Sequence, residues 1–333
     1  MKIKSGPKFW IGIAVSSFFL VILLMKTDFI LISETIKSMD LSYLFLAVLF
    51  TFASYFLRAV RWKYLLVKEK KISLSSLYQA TVIGYMANNL LPARMGELVR
   101  AYALSSKEKL QFLPLLASLV MDRLSDGFSV LVMLVLTLFI MEFPPRMQEA
   151  ENALKTGGVL IFLFYAAVIV FILLLKSGSL RNSSLLERII RRLPLKFSLK
   201  IKVFMDSFAA GVALPAKFSD VLAILAASAF IWFFCILPVD MILESFSIKL
   251  PFYASMFIMV LLVFAVMVPA SPGYIGTYHY ACFKGLSVFG VPDSKAIGVA
   301  LVIHAVGFFP VIIAGFYYLF KNGMSLNKMS SEF

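Results

Sequence analysis

The 333-residue chain is 61% hydrophobic and 15% aromatic, with 15% charged residues and a mean hydropathy of +0.92; such values exclude an ordinary soluble domain and indicate an integral membrane protein. A formal charge of +14 could suggest nucleic acid, but the basic residues sit in short connections between apolar runs, where they set membrane orientation. Two cysteines, Cys235 and Cys282, provide neither a disulfide framework nor a cysteine metal site, and nothing implies a cofactor.

In chain order, Met1-Lys2-Ile3-Lys4 precedes an apolar run, Phe9–Met25. No small-residue cleavage site stands before Lys26-Thr27-Asp28, so an uncleaved first span is expected rather than a signal peptide. The further runs are Leu41–Tyr64, Leu77–Leu104, Leu110–Met141, Gly158–Lys176, Val221–Val239, Phe252–Val268 and Ala296–Phe320, each near or above the ~20 residues that cross a bilayer.

Two short segments break this pattern at corresponding places. One is Asn88-Asn89-Leu90-Leu91-Pro92-Ala93-Arg94-Met95-Gly96-Glu97; the other is Pro269-Ala270-Ser271-Pro272-Gly273-Tyr274-Ile275-Gly276. Helix breakers, amides and charges at membrane depth are costly unless they line a protein-buried or watery cavity. Leu77–Leu104 is therefore expected to enter the membrane, turn near Pro92 and return. The region from Phe252 to Phe289 should do the same from the other side, turning at Pro269–Gly273.

The expected fold is an all-α polytopic membrane protein, a single membrane domain over residues 1–333 with six full transmembrane helices plus two re-entrant hairpins. Residues 41–141 form a first repeat module and 218–320 a second of inverted orientation, with Leu41 to Pro92 and Phe218 to Pro269 both spanning 51 residues. A competing reading makes Phe252–Val268 a full span. With both termini cytoplasmic in the cell membrane, the inner segments hold 22 basic residues against five acids, and the outer ones six against nine, as the positive-inside rule requires. The 177–217 connector interleaves Arg188, Arg191, Arg192, Lys196, Lys200 and Lys202 with apolar residues. It reads either as interfacial helices on anionic lipid headgroups or as a solvated positive loop.

Candidate substrate-binding residues lie at the interruptions. Arg94, Glu97 and Arg100 recur at i, i+3 and i+6, sharing one broad face of a helix that leaves Pro92. One acid between two bases leaves net positive charge, suited to a phosphate; the alternative is an interfacial ion-pair cluster. Asn88 and Asn89 add amides. Opposite them, Pro272, Gly273 and Gly276 free backbone amides before a new helix, a plausible anion cradle. His279 and His304 follow, either meeting a phosphate, carrying a proton or simply packing. Asp122, Arg123 and Asp126, deep in an apolar run, should pair with each other or with Arg94 or Arg100, as a gate, a proton-coupling group or a structural network. Arg58 and Arg61, near the end of the second span, are expected to snorkel to the headgroups. No nucleotide-binding P-loop, zinc-protease helix motif or hydrolase elbow occurs in the sequence.

At these same residues the chain resembles the flippase-like transmembrane domain of lysylphosphatidylglycerol synthases and its stand-alone relatives. The resemblance rests on Asn89-Leu90-Leu91-Pro92-Ala93-Arg94-Met95-Gly96-Glu97-Leu98-Val99-Arg100, on Asp122-Arg123-Leu124-Ser125-Asp126 and on Pro272-Gly273-Tyr274-Ile275-Gly276. It implies a helical bundle with re-entrant helices that moves a phospholipid or lipid-linked headgroup between leaflets. The sequence carries no aminoacyl-transfer domain, so lipid lysylation by this chain alone is not expected. Asp122 stands where the family pattern has a glutamate, and Tyr278-His279 where an acidic residue often follows the glycine turn.

The expected function is ATP-independent translocation of a phospholipid or polyprenyl-phosphate lipid, with no nucleic acid involved and a homo-oligomer left open. Two alternatives stand beside it. One is a membrane-embedded glycosyl or group transferase acting on a lipid phosphate, with Asp122, Asp126 or Glu97 as base or metal ligand. The other is a non-catalytic membrane partner of a lipid synthase.

Overall fold

The computed structural model describes residues 14, 15, 17–22, 25, 36, 37, 39–66, 72–91, 95–141, 148–176, 217–268 and 271–325. Pro92, Ala93 and Arg94, Pro269 and Ala270, much of the expected first span and the basic connector up to residue 216 lie outside the described residues.

Among the described residues every regular element is helical: α1 (Leu41–Leu65), α2 (Leu74–Leu90), α3 (Gly96–Glu108), α4 (Phe112–Ile140), α5 (Gln148–Lys176), α6 (Phe218–Ser245), α7 (Phe252–Met267), a 3₁₀ turn (Pro272–Tyr274), α8 (Thr277–Val288) and α9 (Asp293–Lys321). Five of them, α1, α4, α5, α6 and α9, are long and apolar enough to cross a membrane, and α7 is a shorter apolar helix. Large apolar side chains stand outward along these helices, including Phe45, Phe139, Ile313 and Phe320. A soluble protein does not expose so much contiguous apolar surface. The chain is a multi-pass, all-helical membrane protein.

The helix ends follow local chemistry. Asp40 caps α1: its Oδ1 accepts from the Ser42 hydroxyl at 2.7 Å and the Ser42 backbone N–H at 2.9 Å, which holds this exposed carboxyl below the usual aspartate range. The hydroxyls inside α4 bond back to carbonyls of their own helix, Ser125 to Met121 and Thr137 to Met133. Their polarity is thereby hidden from lipid. The run Leu77–Leu104 is broken into α2 and α3, whereas α5 starts ten residues before the apolar run Gly158–Lys176. Its polar first turns are helix formers joined by a Glu151–Lys155 ion pair at i, i+4.

The chain falls into two compact units. The first contains residues 1–58, 78–100 and 229–333, and the second residues 59–77 and 101–228. In the first unit, Ala47 of α1, Ile242 and Leu243 of α6, Ile258 of α7, Phe283 and Leu286 of α8, and Ala300 and Ile303 of α9 share one core. The backbone N–H of Asp40 donates to the Ser245 carbonyl at 3.1 Å, so the start of α1 meets the end of α6. The Asn322 amide donates to Gln79 at 3.1 Å, so the end of α9 meets the start of α2.

The α2–α3 pair closes on two glycines. A Cβ added at Gly84 would stand 2.7 Å from Arg100 Cβ and 2.9 Å from the Gly96 carbonyl oxygen, and one at Gly96 would collide with the Gly84 carbonyl and the Asn88 side chain. Backbone meets backbone where these two helices cross. In the second unit, Ala117, Met121 and Leu124 of α4 pack against Val168 of α5. The Trp62 indole donates to the Ser118 hydroxyl at 2.9 Å.

Gly84→Val and Gly96→Val should each lower stability by ~3 kcal/mol or more through overpacking of this crossing. Gly157→Ala in α5, whose Cβ would meet nothing within 4 Å, should be neutral or stabilising by up to ~1 kcal/mol. Thermal unfolding midpoints in detergent check both; equal midpoints for all three variants would refute the close crossing.

Candidate functional site

Asn88, in the last turn of α2, organises the tip of the first helix pair. Its Oδ1 accepts from the Gly96 backbone N–H at 2.8 Å, and its Nδ2 donates to Glu97 Oε1 at 3.3 Å. One amide thus caps the incoming helix and orients the acid in its first turn, since the first N–H groups of α3 have no partner within the helix. Asn89 is half-buried beside it. Glu97 is half-buried, and Arg100, one turn on, is 1% exposed with its stem against Gly84. Arg94, the first of the expected i, i+3, i+6 triplet, lies outside the described residues.

The second interruption is a tight turn. Gly273 has φ +75° and Gly276 φ +95°, backbone that glycine adopts without cost, and Tyr274 between them has φ +57°, which a residue with a side chain seldom takes. This turn aims the Tyr274 hydroxyl at the Asn88 carbonyl, which it reaches at 3.3 Å. That carbonyl belongs to the last turn of α2, where carbonyls lack helical partners. The tips of the two helix pairs, α2–α3 and α7–α8, therefore touch.

Two imidazoles hold the glycine turn. His304 of α9 places Nε2 2.8 Å from the Gly273 carbonyl, a contact that requires the proton on Nε2. His279 Nδ1 accepts from the Gly276 N–H at 3.3 Å, which leaves its own proton on Nε2. The two rings lie 4.6 Å apart, with Tyr278 at 5.0 Å and Phe308 at 5.3 Å from His304. Pro272 opens the 3₁₀ turn. Asn88, Glu97, Arg100, Pro272, Gly273, Gly276, His279 and His304 all belong to the first unit.

Asp122, Arg123 and Asp126 belong to the second. Arg123 Nη1 pairs with Asp126 Oδ2 at 3.1 Å. The larger partner is Arg61 of α1: its Nε donates to Asp122 Oδ1 at 2.8 Å, its Nη2 to Asp126 Oδ1 at 2.7 Å and its Nη1 to the Ser228 hydroxyl at 3.0 Å. Arg61 and Asp122 are fully buried. Asp122 and Asp126, two of the three carboxylates that a group-transfer chemistry would use as base or metal ligand, are thus paired with a guanidinium; Glu97, the third, accepts from the Asn88 amide.

Arg58 and Arg61 do not reach the headgroups as expected; they are 5% and 0% exposed. Side chains on a helix lean toward its N-terminus, and both arginines stand in the last third of α1. Their long side chains consequently aim back toward the middle of the helix. Hydropathy registers only the edge of the apolar run. Arg58, seven residues before the end of α1, has ~10 Å of helix still ahead of it, and that spacing was the available signal for burial.

A family model described as the lysylphosphatidylglycerol synthase TM region matches residues 9–315. The chain belongs to that family. Among similar proteins, a UPF0104 membrane protein of Methanothermobacter thermautotrophicus is 22% identical over 85% of this chain and 86% of its own length. A second UPF0104 membrane protein, from Methanocaldococcus jannaschii, is 20% identical over 71% of this chain and 94% of its own length. No solved structure matches the chain. The family match covers all three motifs on which the resemblance rests.

Arg61→Ala should destabilise the protein by ~3–5 kcal/mol, because it strands buried carboxylates. Lys63→Ala, at an exposed position on the same helix, should change stability by less than ~0.5 kcal/mol. Chemical unfolding in detergent distinguishes them, and equal effects would mean that the Arg61 network contributes nothing.

Proposed function

We propose that this lysylphosphatidylglycerol synthase TM region protein moves the phosphate-bearing headgroup of a phospholipid or polyprenyl-phosphate lipid between the leaflets of the cytoplasmic membrane without hydrolysing ATP. The observation that carries this reading is the contact between the two hairpin tips, Tyr274 hydroxyl on Asn88 carbonyl. Two helices that stop and reverse inside an apolar bundle bring amides, carbonyls and charge to a depth where lipid offers them nothing, and such broken helices are characteristic of a transport path.

In this reading α2–α3 and α7–α8 are re-entrant hairpins from opposite faces, and residues 41–141 and 218–320 are inverted repeat modules. The opposed directions of α1 and α6, whose start and end meet at Asp40 and Ser245, support that inversion. Six spans, counting Phe9–Met25, then leave both termini in the cytoplasm. Arg94 and Arg100 contact the lipid phosphate, Asn88, Asn89 and Glu97 orient them, and the Pro272–Gly276 turn with His279 forms the facing wall. The acyl or prenyl chains stay in lipid while the headgroup passes. Asp122, Arg123, Asp126 and His304 act in gating, and the 177–217 connector rests on anionic headgroups. Membership of a family named for the membrane region of a lipid synthase supports a lipid as the molecule handled.

Proteoliposomes containing fluorescent phosphatidylglycerol or phosphatidylcholine and exposed to dithionite give the test. The wild type should expose inner-leaflet label to quenching, and the Arg94→Ala, Arg100→Ala double variant should not. Tyr274→Phe, which removes the tip-to-tip hydrogen bond at a cost of ~1 kcal/mol, should slow the rate while the protein remains folded. A wild type that accelerates no lipid, including a polyprenyl phosphate, would overturn the reading.

A further inference from the structure

The second unit holds a groove in which the hairpin tips have no part. No residue of α5 from 151 to 170 is buried, yet the helix is held against α4 at particular points. A Cβ added at Gly158 would stand 3.0 Å from Leu134 Cδ2, and one added at Gly127 would collide with the Tyr165 hydroxyl. Beside this line of contact lies a cavity of about 540 Å³, lined by Phe128, Leu131 and Val135 of α4 and Lys155, Gly158, Val159 and Phe162 of α5, among others. Its lining is apolar apart from Lys155, the one charged side chain among the described residues that border it. Lys155 stands where α4 ends and α5 begins; its side chain is 55% exposed and pairs with Glu151.

The dimensions of the groove select its occupant. From Phe128 to Leu138, both in its lining, α4 rises ~15 Å, the depth of one leaflet of a ~30 Å hydrocarbon core. Spread over that length the cavity averages roughly 6–7 Å across, wide enough for a hydrocarbon chain and too narrow for a second helix of ~10–12 Å. Its far end stops just past Phe128 and Phe162, where Tyr165 covers Gly127. An empty groove would forfeit the dispersion contacts of its lining, and packing rather than hydrophobicity holds helices together in lipid. An acyl chain restores those contacts. Lysine carries three donors, and an exposed pair such as the one with Glu151 contributes little, so the ammonium at the open end can also serve a phosphate.

We propose that the α4–α5 groove is a resident-lipid site: one acyl chain of a phospholipid lies along it from Lys155 to the Tyr165 closure, with the lipid phosphate at the Lys155 ammonium. Gly158 gives the chain its room, and Lys155 fixes which end of the lipid stands at the mouth. The site is independent of the translocation reading, since the residues of that path around Asn88 and Gly273 belong to the first unit and the groove to the second.

The test weighs the full chain by native mass spectrometry from neutral detergent, titrated with dioleoyl phosphatidylglycerol or with dioleoylglycerol. The wild type should retain one phosphatidylglycerol more than Gly158→Leu or Val159→Trp, which fill the groove and should weaken that binding about tenfold. Lys155→Gln should weaken it about threefold, as expected for an exposed ionic contact, and dioleoylglycerol, which lacks the phosphate, should bind the wild type more weakly by a similar factor. Ile313→Phe, which adds bulk at an exposed position on α9, should leave binding unchanged. Equal retention by the wild type and both groove variants overturns the proposal, as does equal affinity of the wild type for the two probes. A wild-type dimer that Gly158→Leu and Val159→Trp convert to monomer, with no lipid lost, also overturns it and assigns the groove to a second copy. Should Gly158→Leu fail to fold, Val159→Trp, at an exposed position, decides.

Discussion

Lipid offers no hydrogen bonds, and most of this molecule follows from that. Every polar group carried into an apolar helix must bring its partner along or leave the low-dielectric region. The hydroxyls of α4 turn back on their own helix, Arg61 draws in two carboxylates and a serine, and Asn88, from the last turn of α2, caps the start of α3. The same rule makes the breaks between α2 and α3 and between α7 and α8 informative. Backbone groups at a helix break need partners, and among the described residues an asparagine amide serves the Gly96 N–H, a tyrosine hydroxyl the Asn88 carbonyl, and two imidazoles the Gly273 carbonyl and the Gly276 N–H.

Charge and space are coupled at the first break. Gly84 and Gly96 let α2 and α3 approach until only backbone separates them. That closeness sets Asn88 within reach of both Gly96 and Glu97. At the second break, conformational freedom replaces closeness: two glycines of positive φ bracket a tyrosine held in the same region, and the distortion turns a hydroxyl toward the other tip. A left-handed tyrosine costs ~1–2 kcal/mol, which the surrounding histidine and aromatic contacts must offset.

Much of this was legible in the sequence, and the remainder failed for definable reasons. Apolar runs located α1, α4, α6, α7 and α9 to within a few residues, because burial in lipid imposes composition directly. Pro92 with Gly96 marked the break in Leu77–Leu104, since proline and glycine act locally. The start of α5 was invisible to hydropathy because its first ten residues are helical by propensity and ion pairing rather than by burial. Arg58 and Arg61 were misread for a different reason. Their partners stand far along the chain, with Asp122 61 residues from Arg61 and Cys235 177 residues from Arg58, and no local pattern encodes such a meeting. Asp122 and Asp126 were recognised as needing a cation; which cation was a tertiary fact.

The Arg61 network also sets a timetable for biosynthesis. Asp122 leaves the ribosome 61 residues after Arg61 and Ser228 167 residues after it; at ~5–20 residues per second these delays are roughly 3–12 s and 8–33 s. During that interval α1 carries a cation whose final partners have yet to be made. Its residence in the bilayer must therefore be provisional, with the arginine kept near water or the insertion machinery until α4 arrives. Commitment of the helix to its final depth becomes a late event governed by chain elongation, and slower or faster translation across residues 66–122 would shift the balance between correct capture and loss of the nascent chain.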